Sequence, residues 1–361
     1  MNICLLDPGL LGTGGHHFDW AHKLVREAHQ RGLHVTVACH RRAHPQMAPW
    51  LEPYARVQAL FSVDPYDGSN DGTGFDTAST TLAAELAGLP HADLWLVPTL
   101  TLGLAGALAK MAKTPQIAAC IHHDPTYAGA ADAAHWRAIL QALQVRGKTA
   151  LGTTTRALAQ AYTSLSGLPI QVWPLAHDGH RALQPRPALR TVGILGHQRA
   201  EKGLSLIPSL VIGLRELGLN VLLHDTTGQL QDPGLPGVQT VHGFVLDFNE
   251  LLRHCDLVIA PNDSASYRLG GSGVVWDALA SGIPVLAPGR TFGGQWALQT
   301  GGGLCFDPVT PEAILRSVVQ AQAVYAQLAA AAFACSQNWP QEHGVAKFLD
   351  RALSGAGSQL Q

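Results

Sequence analysis

The sequence predicts an α/β protein built of two doubly wound domains that face each other across a cleft. Its 361 residues exceed one ordinary core and suit two domains of about 150–200 residues each. Short apolar runs alternate with stretches of helical periodicity, the pattern of parallel strands joined by helical crossovers. The alternation pauses around Pro174, Pro185 and Pro187, which mark a linker, and then restarts. The expected division is 1–185 for the first domain, 186–336 for the second, and 337–361 for a terminal helix packing back toward the first domain.

Asn2 to Leu6 is the first strand. The loop Asp7 to His17 carries Gly9, Gly12, Gly14 and Gly15 and opens a helix in which Phe18, Ala21, Leu24, Val25 and Ala28 follow the helical period. Gly32 ends that helix, and Leu33 to Cys39 is the second strand. The unit has the outline of a dinucleotide-binding opening. Against that reading, His17 stands where a GxGxxG fingerprint ends in glycine, and no acidic residue closes the second strand. From His44 to Ala78 the pattern loosens, and Asp64 to Phe75 is a loop by composition, read as a mobile lid. Helices at Thr80 to Ala87, Leu102 to Lys113, Ala133 to Val145 and Arg156 to Ser164 then alternate with strands at Asp93 to Val97, Gln116 to Ile121, Thr149 to Gly152 and Ile170 to Val172. The strand Gln116 to Ile121 runs directly into His122, His123 and Asp124, at the carboxyl end where open α/β sheets bind ligands.

Thr191 to Leu195 begins the second series, whose most informative stretch is Asp256 to Ala287. Leu257 to Ala260 reads as a buried strand and Val274 to Ala280 as a helix stopped by Gly282, with Pro284 beyond. Between them, Gly270-Gly271-Ser272-Gly273 leaves backbone N–H groups at a helix start, where unpaired donors and the helix dipole suit phosphate oxygens. Asp277, at i+4 from Gly273, rises on the same face and can accept hydrogen bonds from ribose hydroxyls. A nucleoside diphosphate fits this arrangement; the plainer alternative is a glycine turn that only lets strand and helix pack closely. Pro311 to Ala332 reads as one long Ala-rich helix, Trp339-Pro340 as an interruption, Val345 to Leu353 as a terminal helix and the last eight residues as a frayed tail.

Composition narrows the function. Hydrophobic residues make up 47% of the chain, ample for two cores, while the formal charge of −2 gives no electrostatic basis for nucleic-acid binding. Up to residue 186 there are 14 Lys+Arg against 13 Asp+Glu, and beyond it 10 against 13, so neither half is a basic membrane surface. Arg41-Arg42 is a small local exception, which limits the expected membrane contact to a peripheral one. The opening residues lack a charged n-region and read as a strand rather than a signal peptide, and the apolar run Leu94 to Ala109 falls short of the roughly 20 residues that span a bilayer. The six Cys stand singly, without CxxC spacing, and read as small core residues in a reducing cytosol.

Four segments carry a resemblance to the group 1 glycosyltransferases, the large retaining class of GT-B fold with two Rossmann-like domains. Gly196-His197-Gln198-Arg199-Ala200-Glu201-Lys202-Gly203 resembles the family's Gly-Arg…Glu-Lys-Gly loop after the first strand of the donor-binding domain. Gly243-Phe244-Val245 resembles the segment beside the nucleobase. Gly270 to Gly282 resembles the Gly-rich turn and helix that bind the nucleotide sugar, with Gly271, Ser272, Gly273 and Val274 at the phosphates and Asp277 where a ribose-binding Glu is usual. Thr13-Gly14-Gly15 resembles the first-domain turn that lets backbone approach the donor phosphates. The order and spacing fit nearly the whole chain.

The resemblance implies transfer of a hexose-type sugar from a nucleoside diphosphate to a hydroxyl acceptor: a glycan, a lipid-linked saccharide or another alcohol. Polysaccharide biosynthesis in the cytoplasm is the implied setting, with no cofactor beyond the nucleotide sugar. As the anomeric bond breaks, negative charge grows on the departing diphosphate, which Arg199 and Lys202 can neutralise together with the helix start. The plain alternative is a solvated turn in which Glu201 pairs with one cation. By resemblance, His122 or His123 contacts donor-sugar hydroxyls near the reacting carbon, although one of the two can simply cap its loop. His16, His17 and Asp19 lie on the glycine-loop side and are expected to bind the acceptor. No Asp-x-Asp pair occurs and no Cys pair has CxxC spacing, so a metal-independent reaction is expected. Two departures bear on mechanism: Leu269 stands where the family carries a sugar-binding Glu, for which Arg268 or Asp263 can substitute, and His197 replaces the family's first Arg. A retaining transfer needs no carboxylate base; an inverting one makes Asp19 or Asp124 the candidate. The alternatives are a nucleotide-sugar 2-epimerase and a non-catalytic nucleotide-sugar-binding subunit.

Overall fold

A computed structural model describes residues 1–13, 15–66, 74–126, 129–178 and 184–357. The chain divides into two compact units, Met1–Ala176 with the segment from Val345, and His177–Gly344.

The first unit holds β1 (Asn2–Asp7), α1 (Gly15–Gln30), β2 (His34–His40), α2 (His44–Leu51), β3 (Arg56–Phe61), α3 (Phe75–Leu86), β4 (Leu94–Val97), α4 (Leu102–Lys110), β5 (Gln116–Ile121), α5 (Ala130–Val145), β6 (Thr149–Thr153), α6 (Arg156–Ser166) and β7 (Gln171–Val172). Among the described residues its strands form a seven-stranded parallel sheet of order β3-β2-β1-β4-β5-β6-β7. The central strands are buried on both faces, as parallel strands covered by helices must be, which explains their unbroken apolar runs. The direction in which successive strands are added to the sheet reverses between β1 and β4, where Leu5 lies beside Leu96. The loops leaving those two strands therefore part around a crevice.

The second unit repeats the plan with β8 (Thr191–Ile194), α7 (Ile207–Glu216), β9 (Asn220–Asp225), β10 (Val238–His242), α8 (Phe248–Leu252), β11 (Leu257–Ile259), α9 (Gly273–Ala280), β12 (Val285–Pro288), α10 (Phe292–Thr300), β13 (Gly303–Phe306), α11 (Pro311–Ala323) and α12 (Tyr325–Glu342). Its six described strands run parallel in the order β10-β9-β8-β11-β12-β13, with the reversal between β8 and β11. The last helix, α13 (Val345–Gly357), belongs to the first unit, where Phe348 meets Trp20 and Trp173 edge-on at ring distances of 5.3 and 5.5 Å. Among the described residues no single helix is long and apolar enough to cross a membrane.

The structure departs from the sequence expectations where patterns were diluted. α2 opens with Pro45 in its first turn and carries Pro49 inside, and β3 is a half-exposed edge strand containing Arg56 and Gln58, so neither presents a clean periodicity. The expected single helix over 311–332 is two, because the backbone leaves helical geometry at Val324 (φ −116°, ψ 17°) before Tyr325, Leu328 and Ala329 turn into the second core. Pro340 does not interrupt: α12 runs past it to Glu342, since a proline in the last turn forfeits a single hydrogen bond. α13 extends through Gly357, beyond the expected start of a frayed tail at Ser354. Cys4, Cys39, Cys120 and Cys255 are buried free thiols, and burial pushes those of Cys4, Cys39 and Cys255 up to about 12. Residues 67–73 of the expected lid, 179–183 of the linker, and Gly14 lie outside the described residues.

Candidate functional site

In the second unit, the loops leaving β8 and β11 enclose a small crevice at the sheet's reversal point. Ile194, Leu195, Gln198, Lys202, Ile259, Ala260, Pro261, Asn262, Ser272 and Val274 line it, so Lys202 and Ser272, 70 positions apart, face one space. Short-range geometry puts them there. Arg199 to Gly203 form a single 3-10 turn that Gly203 closes in the left-handed region (φ 76°), and a Cβ on Gly203 would come within 2.7 Å of the Pro261 carbonyl. The turn carrying Lys202 is thereby seated directly on the loop that follows β11.

Ser272 is the N-cap residue of α9 and is buried, but its hydroxyl makes no capping hydrogen bond. Its carbonyl accepts from Trp276 N–H, while the helix start and its dipole point at the crevice wall formed by Ser272 and Val274. Among the described residues Lys202 has no ion-pair partner. Burial, reinforced by the like charge of Arg199 and opposed by Glu201, lowers its pKa to about 8. A cation destabilised in this way is one that an entering anion stabilises. Arg199 is less available, because its Nε donates to Glu201 Oε1 at 2.9 Å on the exposed side of the turn.

His224 ties the neighbouring loops together. Its Nδ1 accepts from Gly196 N–H (3.2 Å) and its Nε2–H donates to the Gly243 carbonyl (3.0 Å), which fixes the neutral tautomer; burial lowers its pKa accordingly. Gln198 Nε2 donates to the His224 carbonyl. The segment after β8 and the segment leading to Phe244 are thus clamped by one buried ring. Phe244 is 36% exposed. His197 shares a hydrogen bond with Thr226 Oγ1 at 2.7 Å, and burial together with Arg199 and Lys202 lowers its pKa.

On α9, Asp277 Oδ1 lies 2.7 Å from His177 Nδ1, so a ribose hydroxyl would share a carboxylate already engaged. The His177 ring lies edge-on to Trp276 (5.5 Å), and its backbone carbonyl accepts from Trp339 Nε1–H at 2.8 Å. Gly271 is obligatory for packing rather than for conformation: a Cβ there would fall 1.7 Å from the Trp276 ring. Gly273, the first residue of α9, has only His177 near its Cα face, at 3.9 Å. Asp263 accepts from the backbone N–H and hydroxyl of Ser266, bonds that hold its pKa low, so it stabilises its own turn.

In the first unit, the end of β1 and the start of α1 build a second constellation. His17 is buried, with Nδ1 at 2.8 and 2.9 Å from the two oxygens of Asp7 and Nε2 at 2.5 Å from Tyr66 Oη. Asp7, the last residue of β1, also accepts from Gly9 N–H at 3.0 Å. The His17 ring sits over Gly9, where any Cβ would approach to 2.4 Å. With its proton on Nδ1 facing the carboxylate, neutral His17 presents Nε2 as an acceptor. His16 lies beside it, ring centroids 4.2 Å apart, and 5.7 Å from His122. His122 Nε2–H donates to the Pro98 carbonyl at 2.7 Å, across the reversal point from β1. His123 lies 6.4 Å from the Tyr66 ring, and its carbonyl accepts from Tyr162 Oη–H.

The expected acceptor-side and sugar-side histidines thus gather at the carboxyl ends of β1 and β5. Asp19 does not join them, being paired with Lys23 at 2.9 Å along α1, and Asp124 accepts from Thr126 N–H and Oγ1–H. Gly15 is the first residue of α1, with φ of 81°. Among the described residues no three His, Cys, Asp or Glu side chains converge as metal ligands. Sequence reasoning missed Asp7, Tyr66, His177, Trp276 and His224. Asp7 had a usable signal, an acid closing an apolar strand at a ligand-facing edge; the others become visible only through contacts made by folding.

No family model matches the sequence, and no curated protein sequence matches it. Solved structures do. Sucrose-phosphate synthase from Thermosynechococcus elongatus is similar over 98% of this chain and 96% of its own, with a TM-score of 0.71 at 14% identity. The glycosyltransferase of kitacinnamycin is similar over 98% of each chain (TM-score 0.66, 17% identity). The glycosyltransferase VinC, solved in complex with dTDP, is similar over 99% of this chain and 100% of its own (TM-score 0.60, 14% identity). Two parallel sheets of seven and six described strands, each wrapped by helices, give this chain the two-domain α/β fold of the GT-B glycosyltransferases.

Proposed function

We propose that the protein is a glycosyltransferase that moves a sugar from a nucleoside diphosphate to a hydroxyl acceptor. The observation that carries the reading is the crevice of the second unit, where Lys202, without an ion-pair partner among the described residues, and Ser272, whose hydroxyl makes no capping bond, meet at the start of α9. That combination suits a diphosphate: fixed amide dipoles and one poorly solvated cation, both stabilising charge that grows as the anomeric bond breaks. The similar structure that holds dTDP supports a nucleoside diphosphate as the ligand. A glycan or lipid-linked saccharide as acceptor, cytoplasmic action and independence from a metal follow from the resemblance described above. A thermal-shift screen of nucleoside diphosphates and nucleotide sugars tests the reading, since a ligand at 100 times its Kd adds about 2.7 kcal/mol of stability. Silence across the whole panel would refute it. Release of free nucleotide without any acceptor would point to the epimerase, and binding without transfer to the non-catalytic subunit.

The resemblance implies retention of anomeric configuration. The Asp7–His17 pair favours a second reading, inversion, because a buried carboxylate that orients an imidazole is the arrangement for removing a proton from a hydroxyl. In that reading His17 Nε2 takes the acceptor's proton as its oxygen attacks the anomeric carbon, and Asp7 stabilises the imidazolium; Asp19 and Asp124 have no part. The anomeric proton coupling in the product's NMR spectrum separates the two.

A further inference from the structure

We infer that Tyr66 occupies the seat in which His17 receives an acceptor hydroxyl, and that an acceptor must displace it. This rests on the reading that the first unit receives a hydroxyl. The Tyr66 hydroxyl stands 2.5 Å from His17 Nε2, the position an acceptor oxygen needs for its proton to pass to the ring. His17 cannot turn away to meet a substrate elsewhere. Asp7 holds its other nitrogen, Gly9 N–H holds Asp7, and the ring is wedged over the Gly9 backbone. Tyr66 is the member nearer solvent, with 42% of its surface exposed. Its backbone N–H donates to Asp64, whose carboxylate meets the exposed Arg42 guanidinium at 3.3 Å, a surface pair of small energetic weight. The exchange is balanced, since the O–H···Nε2 bond of Tyr66 breaks as that of the acceptor forms and no proton changes owner. The phenol ring leaves behind a space of its own size, bordered by His17 and His123, whose rings stand 5.5 and 6.4 Å from it. Until an acceptor fills it, Tyr66 keeps water from the same nitrogen.

The test uses the full chain with Tyr66→Ala and, should that variant fold poorly, Tyr66→Phe. Diethylpyrocarbonate labelling, read at His17 by peptide mass spectrometry, should be at least fivefold faster in Tyr66→Ala and slowed again by millimolar p-cresol, which replaces the missing side chain. Equal labelling of His17 in wild type and variant overturns the inference, whatever the protein's activity. With a donor identified, acceptor-free hydrolysis should rise at least tenfold and the acceptor KM fall at least threefold. A tenfold loss of kcat instead would make Tyr66 a proton carrier and also overturn it. Absence of any donor turnover would count against the transferase reading alone, leaving the labelling result to decide the place of Tyr66.

Discussion

Replacing Lys202 by methionine keeps the apolar stem and removes a charge that has no ion-pair partner among the described residues. An ammonium 4 Å from a diphosphate oxygen has a Coulomb attraction of up to about 4 kcal/mol at an effective dielectric of 20. Net of desolvation, hydrogen bonds to charged groups contribute about 1.5–3 kcal/mol. The variant should therefore bind a nucleoside diphosphate roughly 10- to 150-fold more weakly, measured by titration calorimetry at pH 7. Proton linkage provides a second, sharper signature. Because the pKa of Lys202 is about 8 in the empty site and an anion raises it, binding at pH 8 should draw up roughly half a proton, seen as a buffer-dependent enthalpy. Affinity of the wild type should fall as pH rises through 8, and Lys202→Met should lack that dependence. For the empty protein the sign is reversed: between about 8 and 10.5 the unfolded chain binds more protons at this lysine, so its contribution to stability rises with pH. The variant should melt no lower than wild type, since it loses a cation that burial destabilises. Unchanged affinity, or weaker binding accompanied by a lower melting temperature, refutes the reasoning.

Gly271→Ala drives a methyl into the Trp276 indole and should lower stability by about 1–3 kcal/mol in denaturant melts, with loss of nucleotide binding as the turn shifts. Ser272→Ala, because the hydroxyl makes no capping bond, should cost less than about 0.5 kcal/mol of stability by the same melts while weakening diphosphate binding several-fold by calorimetry. Asp7→Asn should leave donor affinity intact and reduce kcat by about 10²-fold or more if His17 takes the acceptor proton, whereas unchanged kcat in steady-state assays would favour retention.

Much of the fold was legible because parallel strands buried on both faces must be written as short apolar runs, and Val35 to Cys39 or Leu257 to Ile259 cannot be read otherwise. β3 escaped because an edge strand can carry Arg56 and Gln58 without harm. The elements around the second-unit crevice were legible for a related reason: Gly203 closes a tight turn and Gly271 makes room for Trp276, both short-range features. Partnerships were not. Asp7 with His17, and His177 with Asp277, depend on which strands become neighbours, and nothing in local spacing records that a histidine 100 positions upstream will meet α9. Arg199 shows the same limit in reverse, since Glu201 was visible as a competitor and does pair with it.

Because α13 completes the first unit, synthesis leaves that unit unfinished until the ribosome has made all of the second. While the second unit emerges, the apolar faces of Trp20, Leu24 and Trp173 lack the Phe348, Leu349 and Ala352 cover that later seals them. A fragment cut at Ala176 should accordingly aggregate, and supplying residues 345–357 as a separate peptide, or fusing them after a short linker, should restore its solubility. The second unit is continuous in sequence and should fold as an excised piece.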